Sequence, residues 1–191
     1  GSVYHTLEEL PEAVKDIIDI DNSENLIIQH NNTLAFTKVS DSAQNDGVIV
    51  EGLSEALINH PDLVKQYFMN ETVTVDEHRL TALHTALLNG GVFVYVPKNV
   101  VVEHPIQYVV LHDDEQASFY NHVIISTEES AEVTYVENYL SNASGEGNQL
   151  NIISEVNAGA NSKITYGSVD YLDTDFTDHI IRLGVTYADA T

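Results

Sequence analysis

The run Ile124-Ile125-Ser126 returns as Ile152-Ile153-Ser154 and again as Ile180-Ile181-Arg182, so a short β-branched segment recurs every 28 residues. A second run, Val133-Thr134-Tyr135, returns as Ile164-Thr165-Tyr166. Periods of roughly 20 to 50 residues are typical of solenoids and arrays. Each unit here holds short strands and no helix, which predicts a parallel β-helix whose coils stack on one another. An antiparallel sandwich can produce a similar pattern.

The two parts of the chain differ in texture, which predicts a mainly β fold behind a small N-terminal α/β region. Helices are predicted on the apolar stripes at 10–18, 53–57, 63–68 and 80–88, and strands at 26–28, 34–36 and 48–50. Downstream the helical signal ends, and strands are predicted at 92–96, 100–102, 106–111, 123–126, 133–136, 150–154, 164–167 and 180–183. We therefore divide the chain into a tag remnant (1–2), the α/β region (3–90) and the first coils of the β-helix (91–191).

Composition excludes several classes of function. The chain has 191 residues, 30 acidic against 7 basic side chains and a net charge of −23, which disfavours binding to nucleic acid or to an anionic membrane surface. The absence of cysteine excludes disulfides, thiolate metal ligands and cysteine nucleophiles within these residues. No apolar run approaches the roughly 20 residues of a membrane span. A cytoplasmic location is the expectation.

One stretch is more specific than the periodicity. It comprises Gly91-Val92-Phe93-Val94-Tyr95-Val96-Pro97-Lys98 and Val102-Glu103-His104-Pro105-Ile106-Gln107. Together with His122-Val123-Ile124-Ile125 and Glu132-Val133-Thr134-Tyr135-Val136-Glu137, it closely resembles the SufB/SufD family, the scaffold subunits of the SUF machinery for iron–sulfur cluster assembly. The preceding Thr85-Ala86-Leu87-Leu88-Asn89-Gly90 fits the helix before this signature.

The resemblance implies a right-handed parallel β-helix and a scaffold that is not itself an enzyme. It also implies partners, a SufB-like paralogue and the ATPase SufC, and no cofactor held by this segment. The run Glu137-Asn138-Tyr139-Leu140 stands where SufB-like sequences usually carry a cysteine-bearing turn, so the segment is more similar to the SufD branch. Family members are longer, so an N-terminal fragment is expected. The family's later cysteine and histidine, and its SufC-docking helix, have no matching positions here.

The histidines invite a metal hypothesis. His104, His112 and His122 lie in or beside successive predicted strands, where coil stacking can bring side chains together, and imidazole suits zinc or iron. Their spacing matches no ligand motif, so we predict that they are surface or strand-end residues and that no metal site is present. His60 and His78 are expected at helix boundaries.

A second candidate is the acidic cluster of Asp170, Asp173, Asp175 and Asp178. It lacks the spacing of a calcium loop, and a solvated turn is the expected role. The alternative is catalytic, because carboxylates on adjacent coils of a β-helix can act as acid and base on a glycosidic bond. A carbohydrate-active lyase or hydrolase is therefore the alternative function, although the absence of Trp argues against a sugar-binding platform. We predict no catalytic residue.

Two surface properties follow from the pattern. Between Lys98 and Lys163 the chain carries ten acidic residues and no basic one, which indicates either solubility or a basic partner. They are Glu103, Asp113, Asp114, Glu115, Glu128, Glu129, Glu132, Glu137, Glu146 and Glu155. A β-helix that ends inside a repeat exposes strand edges, so self-association through an open C-terminal coil is also expected.

Overall fold

The structure is a computed structural model that describes residues 12–68, 90–113, 119–141, 150–172 and 180–188. Within these ranges the helices are α1 (Glu12–Ile17), α2 (Asp41–Asn45), α3 (Leu53–Asn59) and α4 (Pro61–Tyr67). The strands are β1 (Asn25–His30), β2 (Thr33–Lys38), β3 (Ile49–Gly52), β4 (Gly91–Val96), β5 (Ile106–His112), β6 (Phe119–Thr127), β7 (Glu132–Ser141), β8 (Leu150–Ala158), β9 (Lys163–Leu172) and β10 (Ile180–Ala188). The prediction of a mainly β chain is confirmed.

The strands form two mixed sheets. The first sheet has the order β2-β1-β5-β7-β9, and the second has the order β10-β8-β6-β4-β3. From β4 to β10, each strand lies in the opposite sheet from the one before it and pairs in parallel with the strand two positions along. Among the described strands, only the pairs β1–β2 and β3–β4 are antiparallel, and in each pair one strand, β2 or β3, is the end strand of its sheet.

The predicted 28-residue spacing of the Ile-Ile runs does not match the pairing of β6 with β8. The other repeated run, Val133–Tyr135 and Ile164–Tyr166, does match the pairing of β7 with β9. Val133 pairs with Ile164, as predicted, but Ile152 pairs with Asn121 and not with Ile124. Paired residues of β6 and β8 are thus three residues further apart in sequence than the predicted 28. Because side chains alternate between the faces of a strand, an odd shift moves a residue to the opposite face. Ile124 accordingly packs against the helices outside the second sheet, whereas Ile152 packs between the sheets.

The main core lies between the two sheets. It is formed by alternate, inward-facing residues of the parallel strands, and each such aliphatic side chain contributes about 1.5–3 kcal/mol by leaving water. Representative members are Val94, Val110, Val123, Ile125 and Tyr135, none of them more than 1% exposed. Alternation between a buried inner face and an outer face fixes which polar residues enter the interior.

Two smaller clusters cover the outer faces of the sheets. On the first sheet, Val14 of α1 and Ile18, the residue after it, pack against Ile28, Val109 and Leu140. On the second sheet, α3, α4 and the residue after α4 place five side chains against Phe93 and Ile124, namely Leu53, Ala56, Val64, Tyr67 and Phe68. Helix α1 therefore covers the outer face of the first sheet, and the apolar stripes at 53–57 and 63–68 of α3 and α4 cover the outer face of the second.

The turns that follow β4, β6 and β8 repeat one backbone conformation. Asn99, Ser130 and Asn161 have positive φ angles of 65°, 60° and 57°. The Asn99 amide donates to the Glu129 carbonyl at 3.0 Å, and the Ser130 amide donates to the Ala160 carbonyl at 2.9 Å. The turns are thus bonded to one another through their backbones, and asparagine tolerates this left-handed conformation better than most residues.

Most predicted elements in the described ranges are present, with three differences. The segment 100–102 is not a strand and makes only an isolated bridge from Val101 to Glu132, because it belongs to the bonded turns. Helix α2 was not predicted, since it is five residues long and buries only Ala43; Ser40 caps it by accepting from the Ala43 amide. Strands β6 to β10 are all longer than predicted; β7, for example, runs to Ser141, beyond the predicted 133–136. The predicted helix at 80–88 lies outside the described residues.

Gly91 begins β4 where the backbone of β6 lies directly against its Cα. Its φ angle is 152°, and a Cβ placed there would overlap the carbonyl oxygen of His122, its partner on β6. Its amide also donates to the Gln29 side chain at 3.2 Å. A side chain at this position therefore cannot be accommodated without separating β4 from β6. Gly184 of β10 offers a matched contrast, because a Cβ there would meet nothing within 4 Å.

We predict that Gly91→Ala lowers the free energy of unfolding by at least about 2 kcal/mol, through backbone overlap and strain. Gly184→Ala should change it by no more than about 0.5 kcal/mol, because the space is open. Chemical denaturation followed by circular dichroism measures both. Equal effects of the two substitutions would contradict the placement of Gly91 against His122.

Candidate functional site

The structure does not bring the three predicted histidines together. His104 precedes β5 and has a 42% exposed side chain, 4.0 Å from Glu103. His112 ends β5 in the first sheet and is buried, whereas His122 lies in β6 of the second sheet. Within the described ranges, no three His, Cys, Asp or Glu side chains are grouped so that they could hold a metal ion. His60 lies between α3 and α4, as expected, and His78 lies outside the described residues.

His122 instead forms a buried pair with a carboxylate of β8, the strand paired with β6. Its Nε2 lies 3.1 Å from Oε1 of Glu155, and the two side chains are 7% and 4% exposed. The ring of Phe68 covers the imidazole with the ring centroids 4.7 Å apart. The pair therefore ties β6 to β8 on the outer face of the second sheet, under the end of α4. Burial of both partners makes this pair sensitive to loss of either one.

A polar cluster lies in the interior between the sheets. The hydroxyl of Tyr108 donates to the side-chain oxygens of Gln29 and Asn121, the latter at 3.1 Å. The Asn121 amide donates to the Tyr139 hydroxyl at 2.9 Å, and the Gln29 amide donates to Asn121 at 3.2 Å. Gln29, Tyr108 and Tyr139 belong to the first sheet and Asn121 to the second. Side-chain hydrogen bonds thus join the two sheets across the core.

Glu137 adds a carboxylate to this interior. It is fully buried on β7, directly beside Tyr108 in the parallel register. Burial raises the pKa of the Tyr135 and Tyr139 hydroxyls, and the negative charge of Glu137 raises it further. Burial also raises the pKa of Tyr108, where the bond to Asn121 opposes the shift and Glu137 adds to it. All three tyrosines consequently remain protonated at neutral pH.

A third group forms where β1 and β5 end side by side. Nε2 of His30 lies 2.8 Å from Oδ2 of Asp113, and the Asn31 side chain donates to Oδ1 at 2.9 Å. The Asp113 amide donates back to Asn31 at 3.0 Å. Partial burial would raise the pKa of Asp113, but the bonds from Asn31 and His30 and the charges of His30 and His112 hold it below its ordinary value. The group is a bonded clamp between the carboxyl ends of two parallel strands.

The predicted acidic surface is only partly at the surface. Glu103, Glu129 and Glu132 are exposed, but Glu137 lies inside the core and Glu155 lies against His122. Glu128 accepts hydrogen bonds from the hydroxyls of Tyr67 and Tyr95 at 2.9 and 3.2 Å. This stretch is therefore not wholly at the surface. Glu137 faces the interior because the strand period turns every second residue inward, whereas Glu155 is buried beside His122 on the outer face of the second sheet.

The acidic cluster after β9 is described only at its first member. Asp170 is exposed and lies beside Tyr139 in the register of β7 and β9, whereas Asp173, Asp175 and Asp178 lie outside the described residues. The described part of the chain contains no helix long and apolar enough to cross a membrane.

Sequence reasoning missed Gln29 and Asn121 because a single polar residue in a strand usually faces water. The inward orientation of both residues could have been predicted from their spacing along the strand. Gln29 lies two residues after the inward Ile27, and Asn121 lies two residues before the inward Val123. Residues two apart on a strand share a face, so both side chains are directed into the core.

Comparison with known protein families gives two adjacent matches. The SufBD protein N-terminal region matches residues 16–108, and the SufBD core domain of SUF-system FeS cluster assembly matches residues 109–191. The chain belongs to the SufBD family. The resemblance carried by Gly91–Lys98 and the segments after it is thereby confirmed.

Among curated proteins, the iron–sulfur cluster assembly protein SufD of Bacillus subtilis is 46% identical over 180 residues, which cover 94% of this chain and 41% of that protein. SufBD family proteins of Pyrococcus horikoshii and Staphylococcus saprophyticus are 29% and 28% identical over 69% and 68% of the chain, and 31% and 30% of those proteins. The chain thus spans less than half the length of these SufBD relatives.

The Asp113 clamp yields a pH-dependent prediction. Because the pKa of Asp113 is lower in the folded state, its contribution to stability is present above the pKa of the unfolded carboxyl and is lost as pH falls through the folded-state value. Asp113→Asn should therefore lower the free energy of unfolding at pH 7, by no more than about 1 kcal/mol because the side chain is 37% exposed.

The difference between this variant and the parent chain should disappear when both are measured in acid, below the folded-state pKa. Asp16→Asn, at an exposed position on α1, is the control and should have little effect at either pH. Denaturant titrations across pH provide the measurement. A difference that grows on acidification would contradict the clamp.

Proposed function

We propose that this chain is part of a SufD-like scaffold subunit of the cytoplasmic SUF machinery for iron–sulfur cluster assembly. The observation that carries the proposal is the 46% identity to the Bacillus subtilis protein over 94% of the chain. The iron–sulfur cluster is the cargo of this function, and no residue here is assigned as its ligand.

The architecture that we propose for residues 91–191 is a right-handed parallel β-helix. Its support is the alternation of β4 to β10 between two sheets with parallel pairing two strands along. Parallel strands of one sheet joined by a crossover are right-handed in nearly all known cases. Residues 3–90 would then form the N-terminal α/β region, whose β2 and β3 lie at the ends of the two sheets.

The subunit acts without catalysis of its own, in a complex with a SufB-like paralogue and a SufC-like ATPase. Support comes from the hydrogen bonds of the interior polar residues, because Tyr108, Tyr139, Gln29 and Asn121 bond to one another across the two sheets. His122 and Glu155 likewise join two strands. These groups hold a rigid frame, which is what a scaffold requires.

The function is tested with a chimera of Bacillus subtilis SufD in which the matching region is replaced by residues 12–191 of this chain. We predict that the chimera restores growth and iron–sulfur enzyme activity in cells depleted of their own SufD, and that it co-purifies with SufB and SufC. The whole matching region is exchanged as one piece, so that core residues and the surface residues around them stay together.

The controls use the two glycines. A chimera with Gly184→Ala should behave like the parent chimera, and one with Gly91→Ala should fail through misfolding. A chimera that accumulates to normal levels, folds, and yet neither restores activity nor co-purifies with SufB and SufC would contradict the proposed function.

A further inference from the structure

The two sheets do not end at the same level at the edges formed by β2 and β3. The first sheet has β2 beyond β1, whereas the second sheet ends at β3, which is level with β1. Within the described ranges, the second sheet has no further strand beyond β3 that would face β2 of the first sheet. An antiparallel strand directs the backbone groups of alternate residues away from its partner. Since β3 pairs only with β4 among the described strands, alternate residues of Ile49–Gly52 present an open edge.

A groove of about 580 Å³ lies along this edge. Thr37 and Val39, from the end of β2 and the residue after it, form one wall, and Ile49 and Glu51 of β3 form another. Glu55 of α3 also lines it. The groove is open to solvent, and its volume is enough for a few residues of an extended peptide. It therefore combines a strand edge that is unpaired within the described residues with apolar and acidic side chains.

Among the described residues, the one basic side chain paired with these acidic groups is His60, which also lines the groove. No Lys or Arg lines the groove, and within the described residues neither Glu51 nor Glu55 forms an ion pair with one. Glu51 contacts Asn59 at 3.2 Å and His60 at 3.3 Å. Partial burial raises the pKa of Glu55, and the negative charge of Glu51 raises it further. A cation bound between these carboxylates would relieve their repulsion.

We infer that this groove binds an extended basic segment of a partner protein, which adds as a strand to the edge of β3 and places Lys or Arg side chains against Glu51 and Glu55. Strand addition supplies affinity through main-chain hydrogen bonds, and alternate side chains supply specificity. Every second side chain of the added strand faces the same wall, so the segment should alternate cationic and β-branched residues. The chain's net charge of −23 favours the approach of such a segment. This surface is independent of the proposed cluster-assembly function.

The test uses the 191-residue chain and a fluorescent acetyl-(Val-Lys)3-amide peptide as the probe. Binding is measured by anisotropy, and the contact is mapped from the amide chemical shifts of Ile49–Gly52. Glu55→Gln should weaken binding about fivefold, as expected for loss of one partly exposed ion pair. Glu129→Gln removes the same charge from an exposed turn on the far side of β6 and should change the affinity less than twofold.

Two further probes separate strand addition from simple charge attraction. The same peptide with an N-methyl group on every residue keeps its charge but has no backbone N–H to donate, and it should bind at least about tenfold more weakly, because the main-chain bonds of strand addition are lost. An acidic acetyl-(Val-Glu)3-amide should not bind. Equal binding of the methylated peptide, equal effects of Glu55→Gln and Glu129→Gln, or shifts confined to residues outside β3 would each overturn the inference.

Discussion

Backbone pairing between strands that are two positions apart is the constraint on which the rest of the structure depends. From β4 onward, each strand of one sheet bonds in parallel to the next strand of that same sheet, while the chain passes through the other sheet in between. This arrangement fixes the register, and the register fixes which residues face inward. A three-residue error in that register exchanges the inner and outer faces, as the positions of Ile124 and Ile152 show.

The polar interior depends on this register in turn. Gln29, Tyr108, Asn121 and Tyr139 meet because their strands are held at fixed heights in two different sheets. A buried polar network specifies one arrangement, since any slip leaves donors without acceptors at a cost of about 1–3 kcal/mol each. Gly91 permits the close approach of β4 and β6 that places its amide on Gln29. Gly91, which opens the stretch that carries the family resemblance, is therefore also required for packing.

Much of this fold could be predicted from the sequence, and the reasons for the failures are physical. The hairpin around Asn31 and the helices α3 and α4 follow from local turn signals and apolar spacing. The repeat of Val133–Tyr135 at Ile164–Tyr166 gave the correct register because both copies keep the same inward positions. The predicted strand 133–136 stops short of Glu137, yet this carboxylate is buried within β7, because its position on the strand faces the core.

The candidate site was harder to predict than the fold. The pairing of His30 with Asp113 joins residues far apart in sequence, and it depends on β1 lying beside β5, which no local pattern indicates. The pairing of His122 with Glu155 required the corrected offset between β6 and β8. Both examples show that residue types alone suggest a metal or a solvated face, whereas register decides which partner each residue meets.

The central claim, parallel stacking with this register, is tested most directly by disulfide trapping, because the chain has no cysteine of its own. Thr134 of β7 pairs with Thr165 of β9. A chain with Thr134→Cys and Thr165→Cys should lose both free thiols under mild oxidation, because paired Cα atoms lie within the roughly 7 Å that a disulfide requires. A chain with Thr134→Cys and Ser162→Cys, at the 28-residue spacing, should keep them. Free thiols in the first chain, or equal oxidation of both, would contradict the account.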